Sequence, residues 1–252
     1  MIKKVDLNSD LGESFGRYHL GDDPAILTIV SSANIACGFH AGDPVTMANT
    51  VRLAEQLGVE IGAHPGLPDR VGFGRRVMML SPEEAKADLK YQLGALMAFT
   101  KNNKVHHIKP HGALYNQAAT DLTLAVALCE GVKEVDSEII IYGLANSALI
   151  EAAKLLSLSY AQEVFADRHY NRDGSLVPRR EAGALINDEQ VIIDRVITMV
   201  KERRVQAIDG SWLALHPDTI CLHGDHPKAI KLASRLAGAL TNAGITIAPI
   251  RN

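Results

Sequence analysis

Ile35-Ala36-Cys37-Gly38-Phe39-His40, Val59-Glu60-Ile61-Gly62-Ala63-His64, Ile108-Lys109-Pro110-His111 and Ile220-Cys221-Leu222-His223 are short apolar runs that each end in histidine. A fifth run, Val5-Asp6-Leu7-Asn8-Ser9-Asp10, ends in an acid. Segments with helical periodicity lie between them. Strands that alternate with helices give a parallel sheet. In such sheets ligands bind outside the carboxyl ends of the strands. Residues far apart in sequence should therefore meet at one polar site. That pattern suits an enzyme better than a binding module.

Working outward, strands are expected near Lys4–Leu7, Leu27–Ile35, Glu60–Ala63, His106–Lys109, Glu138–Tyr142, Ala161–Phe165 and Thr219–Leu222. Helices are expected at Val45–Leu57, Pro82–Lys101, Asp121–Val132, Ser147–Leu156, Asp188–Glu202 and Lys228–Asn242. Asp43-Pro44 reads as an N-cap followed by proline in the first turn. Ser81-Pro82-Glu83-Glu84 reads as a capping box. Gly58 and Gly244 read as C-caps. Two long connections, Pro65–Leu80 and Arg168–Asn187, are rich in Arg, Gly and Asp, and such loops serve as lids, partner surfaces or plain surface packing.

The 252 residues suit one α/β domain of barrel size, spanning 1–252, and 47% apolar residues can fill its core. A net charge of −3, with both signs scattered, gives no footprint for nucleic acid or an anionic membrane. No apolar run approaches a membrane span, and no signal peptide precedes the first strand. Cys37, Cys129 and Cys221 are too few and too widely spaced for a disulfide framework, so they read as core thiols of a cytoplasmic protein.

Several side chains can carry chemistry. Asn8, Asp10 and Glu13 follow the first strand, where carboxylates can act as general base or metal ligand, or simply shape a turn. His40 and His64 occupy equivalent strand ends and can bind a divalent metal or move protons. The spacing His-Glu-x-x-His is absent. Lys109 can hold an oxyanion or carboxylate, or act as a base if its pKa falls. His111 lies just beyond it. Arg168 can clamp a carboxylate or form a structural ion pair. His223 and Asp225 follow the last strand, where Asp225 can also cap the next helix. The chain has no phosphate-binding G-x-x-x-x-G-K-[ST] loop and no G-x-S-x-G elbow, and Gly72-Phe73-Gly74 lacks the third glycine of a dinucleotide fingerprint.

These residues sit in segments that resemble the LamB/YcsF family. They include Asp6-Leu7-Asn8-Ser9-Asp10-Leu11-Gly12-Glu13, Ser32 to Pro44 with Asn34 inside it, Gly62-Ala63-His64-Pro65-Gly66-Leu67-Pro68-Asp69 and Gly72-Phe73-Gly74-Arg75-Arg76. Val105 to Tyr115, Glu163 to Arg168 and Cys221-Leu222-His223-Gly224-Asp225 complete the match, in order along nearly the whole chain. The resemblance implies an irregular (β/α) TIM-like barrel related to polysaccharide deacetylases. It implies ATP-dependent hydrolysis of 5-oxo-L-proline to L-glutamate, with ATP as cosubstrate and subunits B and C as partners.

Our assignment of roles follows from residue chemistry. Asp10, His40, His64, Lys109 and His111 form the expected catalytic set. Asp10 or His64 would activate water, Lys109 and His40 would stabilise an oxyanion, and His111 or His223 would protonate the leaving nitrogen. Asn8, Asn34, Arg168 and His223 are expected at the substrate. A divalent metal could sit among Asp10, Glu13, His40, His64 and Asp225. The alternatives are a stand-alone metal-dependent deacetylase of an N-acetyl sugar or amide, and a non-catalytic sensor of a small acid.

Overall fold

The computed structural model describes residues 3–222 and 227–251. His223 and Asp225 lie outside these residues. The strands β1 (Lys3–Leu11), β2 (Ser32–Ala36), β3 (Glu60–His64), β4 (His107–Ile108), β5 (Ile140–Leu144) and β6 (Tyr160–Phe165) pair in sequence order. A small antiparallel hairpin, β7 (Arg204–Gln206) and β8 (Trp212–Ala214), stands apart. The next strand, β9 (Thr219–Cys221), pairs in parallel with both β6 and β1, which closes a seven-stranded parallel barrel. β10 (Ile245–Ile247) adds to the start of β1.

Helices cover the outside: α1 (Asp23–Leu27), α2 (Pro44–Leu57), α3 (Pro82–Met97), α4 (Gly112–Thr120), α5 (Leu122–Val135), α6 (Ala148–Leu155), α7 (Glu189–Glu202) and α8 (Pro227–Asn242). Among the described residues no helix is long and apolar enough to cross a membrane. The expected caps form. Asp43 accepts from the Thr46 amide, Ser81 and Glu84 close a capping box, and Gly58 ends α2 in the left-handed region. All three cysteines are free and buried.

The barrel wall reverses the usual polarity. Successive side chains of a strand point to opposite faces. Val5, Leu7 and Leu11 face the helices and join the main core, with Ile35, Ile61, Ile108, Ile141, Val164 and Ile220. Asp6, Asn8 and Asp10 face the barrel interior, where they meet Ser32, Asn34, Lys109, Tyr142 and Thr219. Burying polar groups is costly unless each finds a partner. Here they satisfy one another. Asp6 accepts from Ser31, Ser32, Thr219 and Tyr142. Gly62 leaves space for this layer: a Cβ there would lie 2.2 Å from Nε2 of His107.

Three expectations need correction. Leu27–Ile35 is not one strand. Asp22 caps the short α1, with Pro24 in its first turn, and β2 begins only at Ser32. The first strand does not stop at Leu7. It continues to Leu11 because Asn8 to Leu11 pair with Ser32 to Ile35, so Asn8 and Asp10 lie within the strand rather than in a turn. His111 is the N-cap residue of α4, a helix that the local sequence pattern does not reveal.

Candidate active site and metal-ligand cluster

The carboxyl ends of β1 to β4 bring Asp10, Glu13, His40, His64, Lys109 and His111 together. Asn8 and Asn34 lie directly beneath. The arrangement is a charged half beside an imidazole half, joined by Asp10.

Lys109 anchors the charged half. It is only 2% exposed. Its Nζ lies 3.0 Å from Asp10 Oδ1, 2.7 Å from Glu163 Oε1 and 3.2 Å from Asn8 Oδ1. Burial alone would lower the lysine pKa, but the neighbouring carboxylates Asp10 and Glu163 outweigh it and hold the ammonium well above its ordinary value. These surroundings favour the charged ammonium over a neutral base. Glu163 is itself held by the Tyr115 hydroxyl, which donates to it at 2.6 Å. Asn34 donates to Asp10 at 2.9 Å and to Asn8 at 2.7 Å. Its own amide oxygen accepts from His107 Nε2 at 2.8 Å. Asn34 thus acts on the carboxylate directly, and Asn8 acts on it through Asn34 and Lys109.

The imidazole half follows from proton accounting. His64 Nδ1 donates to the Lys109 carbonyl at 2.7 Å. His111 Nε2 donates to the Phe73 carbonyl at 2.9 Å. A carbonyl can only accept, so these bonds settle both tautomers. The opposite nitrogens, His64 Nε2 and His111 Nδ1, face each other at 2.9 Å. Asp10 Oδ2 lies 3.4 Å from the first, and Glu13 Oε1 lies 3.7 Å from the second. His40 stacks on His111 with ring centroids 3.7 Å apart and places Nε2 3.2 Å from Glu13 Oε1. Burial, then the neighbouring imidazoles, holds His40 and His111 well below the ordinary histidine pKa, which keeps these rings neutral.

Imidazole nitrogens and a carboxylate oxygen that converge in this way can hold a cation. Ligand atoms of Glu13, His40, His64 and His111 all lie within 4.8 Å of one another. Three imidazoles and a carboxylate suit a borderline divalent transition ion such as zinc. The carbonyls behind His64 and His111 supply the outer hydrogen bonds that orient metal-binding histidines. The residues therefore fit a metal. Compared with the ligands expected from sequence, His111 joins the group, and Asp10 borders it through His64. Asp225 lies outside the described residues.

The loop between β3 and α3 roofs the cluster. Gly74 has φ +62° and presses its backbone onto the rings, where a Cβ would lie 2.7 Å from His40 Cβ. The Gly74 carbonyl accepts from the Ala113 amide at the start of α4. His40, His64 and His111 are consequently all under 5% exposed.

Arg168 is set apart from the carboxylates. It is buried, its Nη2 donates to the Val177 carbonyl at 2.6 Å, and its Nε has no hydrogen-bond partner. Sequence reasoning gave no role to Glu163, His107 or Tyr115. The available signal was alternation: Ala161, Glu163 and Phe165 share one face of β6, so a lone acid there must point inward.

The sequence matches the LamB/YcsF family over residues 5–252. The A subunit of 5-oxoprolinase from Limosilactobacillus fermentum is 54% identical, covering 98% of this chain and 99% of that protein. A lactam utilization protein of Thermus thermophilus superposes with TM-score 0.92 at 45% identity, covering 98% of this chain and all of that one. A family 4 carbohydrate esterase of Streptomyces lividans shares the fold alone, with TM-score 0.55 at 11% identity over 99% of this chain and 93% of its own. On its sequence and its barrel alike, the chain belongs to the LamB/YcsF family.

Proposed function

We propose that this chain is the A subunit of an ATP-dependent 5-oxoprolinase, a cytoplasmic enzyme that opens 5-oxo-L-proline to L-glutamate. In this reading the chain supplies the hydrolytic half of the reaction, beside B and C subunits. The observation that carries it is the buried carboxylate–lysine–imidazole cluster, taken with relatives named as the A subunit of 5-oxoprolinase and as a lactam utilization protein. A five-membered lactam is a resonance-stabilised amide. Its opening needs an activated water, charge stabilisation at the carbonyl oxygen and a proton for the departing nitrogen.

Asp10 suits the first task. Lys109 and Asn34 hold its Oδ1, which leaves Oδ2 directed toward His64 Nε2. A water between Asp10 and His64 would lose its proton to that pair. His40 is neutral and buried, with Nδ1 against the Gly66 backbone and without a hydrogen-bond partner among the described residues, so it would exchange a proton with substrate nitrogen only after the loop moves. Asn34 and Lys109 keep the carboxylate charged and aligned. Glu13, His40, His64 and His111 would hold a divalent ion, which when bound would polarise a carbonyl oxygen or acidify water. Asp10 and Glu13 are the part of the cluster that solvent reaches, and the imidazoles lie under the roof. ATP would activate the lactam carbonyl by phosphorylation. The sequence carries no recognisable phosphate loop, which supports nucleotide handling by the partner subunits.

The test is conversion of 5-oxoproline by the purified chain, with and without ATP and the two partner subunits. Glutamate release is expected only from the complete mixture. Full ATP-coupled turnover by the chain alone would refute the division of labour. Metal-dependent release of acetate from an N-acetyl sugar or amide, without ATP, would favour a deacetylase instead.

A further inference from the structure

The roof of the site carries an unusual outer surface. Val71, Val77 and Met79 are 93%, 70% and 91% exposed, all on the loop that covers the imidazole cluster. Tyr18, 67% exposed, stands on the neighbouring turn. The two segments are joined, because Arg70 lies 4.7 Å over the Phe15 ring, and Phe15 and Tyr18 bond to each other through their backbones. Single exposed apolar residues are ordinary, but several on one loop over a site mark an interaction surface. The stretch 65–80 contributes three arginines, Arg70, Arg75 and Arg76, against one acid, Asp69, and Arg76 covers that acid. Arg70 also donates to the Gly38 and Gly42 carbonyls, so the loop combines exposed apolar side chains with a net positive charge.

We propose that this surface, from Val71 to Met79 with Tyr18 beside it, is where a partner subunit docks. The partner would present an apolar patch ringed by acidic side chains. The inference rests on the multi-subunit reading above and specifies its geometry. The underside of the same loop touches His40 and His111 through Gly74, while the neighbouring Asp10 and Glu13 side chains keep 16% and 11% exposure. A partner seated on the loop therefore sits directly over the imidazole cluster. Another exposed apolar group, Val191, Ile208 and Trp212, lines a groove of about 500 Å³ beside α7 and the hairpin, and it shares no residue with the roof. It provides an internal control.

The test measures binding of the intact chain to the purified B and C subunits by calorimetry, together with hydrogen exchange of the complex. Val71→Asp combined with Met79→Asp should weaken binding at least about tenfold, as loss of central anchors does. The thermal midpoint should be unchanged, since both side chains are exposed. Amides of residues 70–80 should gain protection in the wild-type complex, and Trp212→Asp should bind normally. Unchanged affinity of the double variant, protection at the Trp212 groove instead, or absence of any complex would overturn the proposal. Self-association of the wild-type chain that the double variant abolishes would overturn it too, in favour of a second copy. Lactam turnover is read separately. Docking through the roof without conversion of 5-oxoproline sinks only the function reading, and conversion with a dispensable roof surface sinks only this one.

Discussion

Replacing Lys109 by Met keeps the aliphatic stem and removes the ammonium. In the fold that ammonium stands between Asp10 at 3.0 Å and Glu163 at 2.7 Å, with Glu163 fully buried. Sequence reasoning expects a loss of turnover with the fold intact. The ion pairs require a second effect. Removing one partner of a buried charge pair costs about 3–5 kcal/mol, because the remaining charge is stranded. For a chain of this size, 1 kcal/mol moves the midpoint by about 2–4 °C, so a fall of about 6–20 °C is expected at neutral pH. Adding Glu163→Gln removes the stranded charge and should restore part of that loss. Turnover in the reconstituted complex should fall by about two orders of magnitude or more, because Asp10, the general base, loses the ammonium that keeps it charged and aligned. Arg should not restore it, since a planar guanidinium does not fit the space of a compact ammonium. The assay pairs calorimetric midpoints with glutamate release for Lys109→Met, Lys109→Arg and the double variant. A Lys109→Met midpoint within about 2 °C of wild type, with near-normal turnover, would show that the lysine merely covers apolar surface.

Two other outcomes follow from the imidazole half. A divalent transition ion at about a hundred times its dissociation constant should stabilise the chain by about 2.7 kcal/mol, or about 5–10 °C, and a chelator should reverse this. Glu13→Gln and His111→Ala should lose the response in calorimetry and in metal analysis, and a full response from His111→Ala would remove it as a ligand. For pH, burial first, then neighbouring imidazoles, holds His40, His107 and His111 well below the ordinary value of 6.5 in the fold. The unfolded chain takes up these protons at about pH 6.5 while the fold does not. Their contribution is complete above that pH and is lost as pH falls from there through the folded values. Urea midpoints of metal-free protein should drop between pH 7.5 and 5, and a flat profile would refute the buried neutral state.

Local signals in the sequence were legible because they arise within one turn of chain. The Asp43-Pro44 start, the Ser81–Glu84 box and the Gly58 stop all involve neighbours a few residues apart. The strand-end histidines were legible for a related reason: an apolar run that stops at a polar residue marks where a buried strand meets the site. The same reading truncated β1 at Leu7, since Asn8 and Asp10 look like turn residues to any local rule. Only pairing with β2, and partners supplied by β4 and β9, make them strand residues that point into a polar barrel.

The sequence alone therefore determined the alternation of strands and helices, and the residue types that gather at the strand ends. Tertiary structure decided which atoms meet. Glu163 reaches Lys109 across 54 positions of chain, and His111 reaches His64 across 47. No periodicity encodes those contacts. They exist because closure of the barrel, β9 against β1, sets the register that turns alternate side chains inward to a common axis. The protonation states follow from the same closure, since burial and the facing charges that shift each group come from strands distant in sequence.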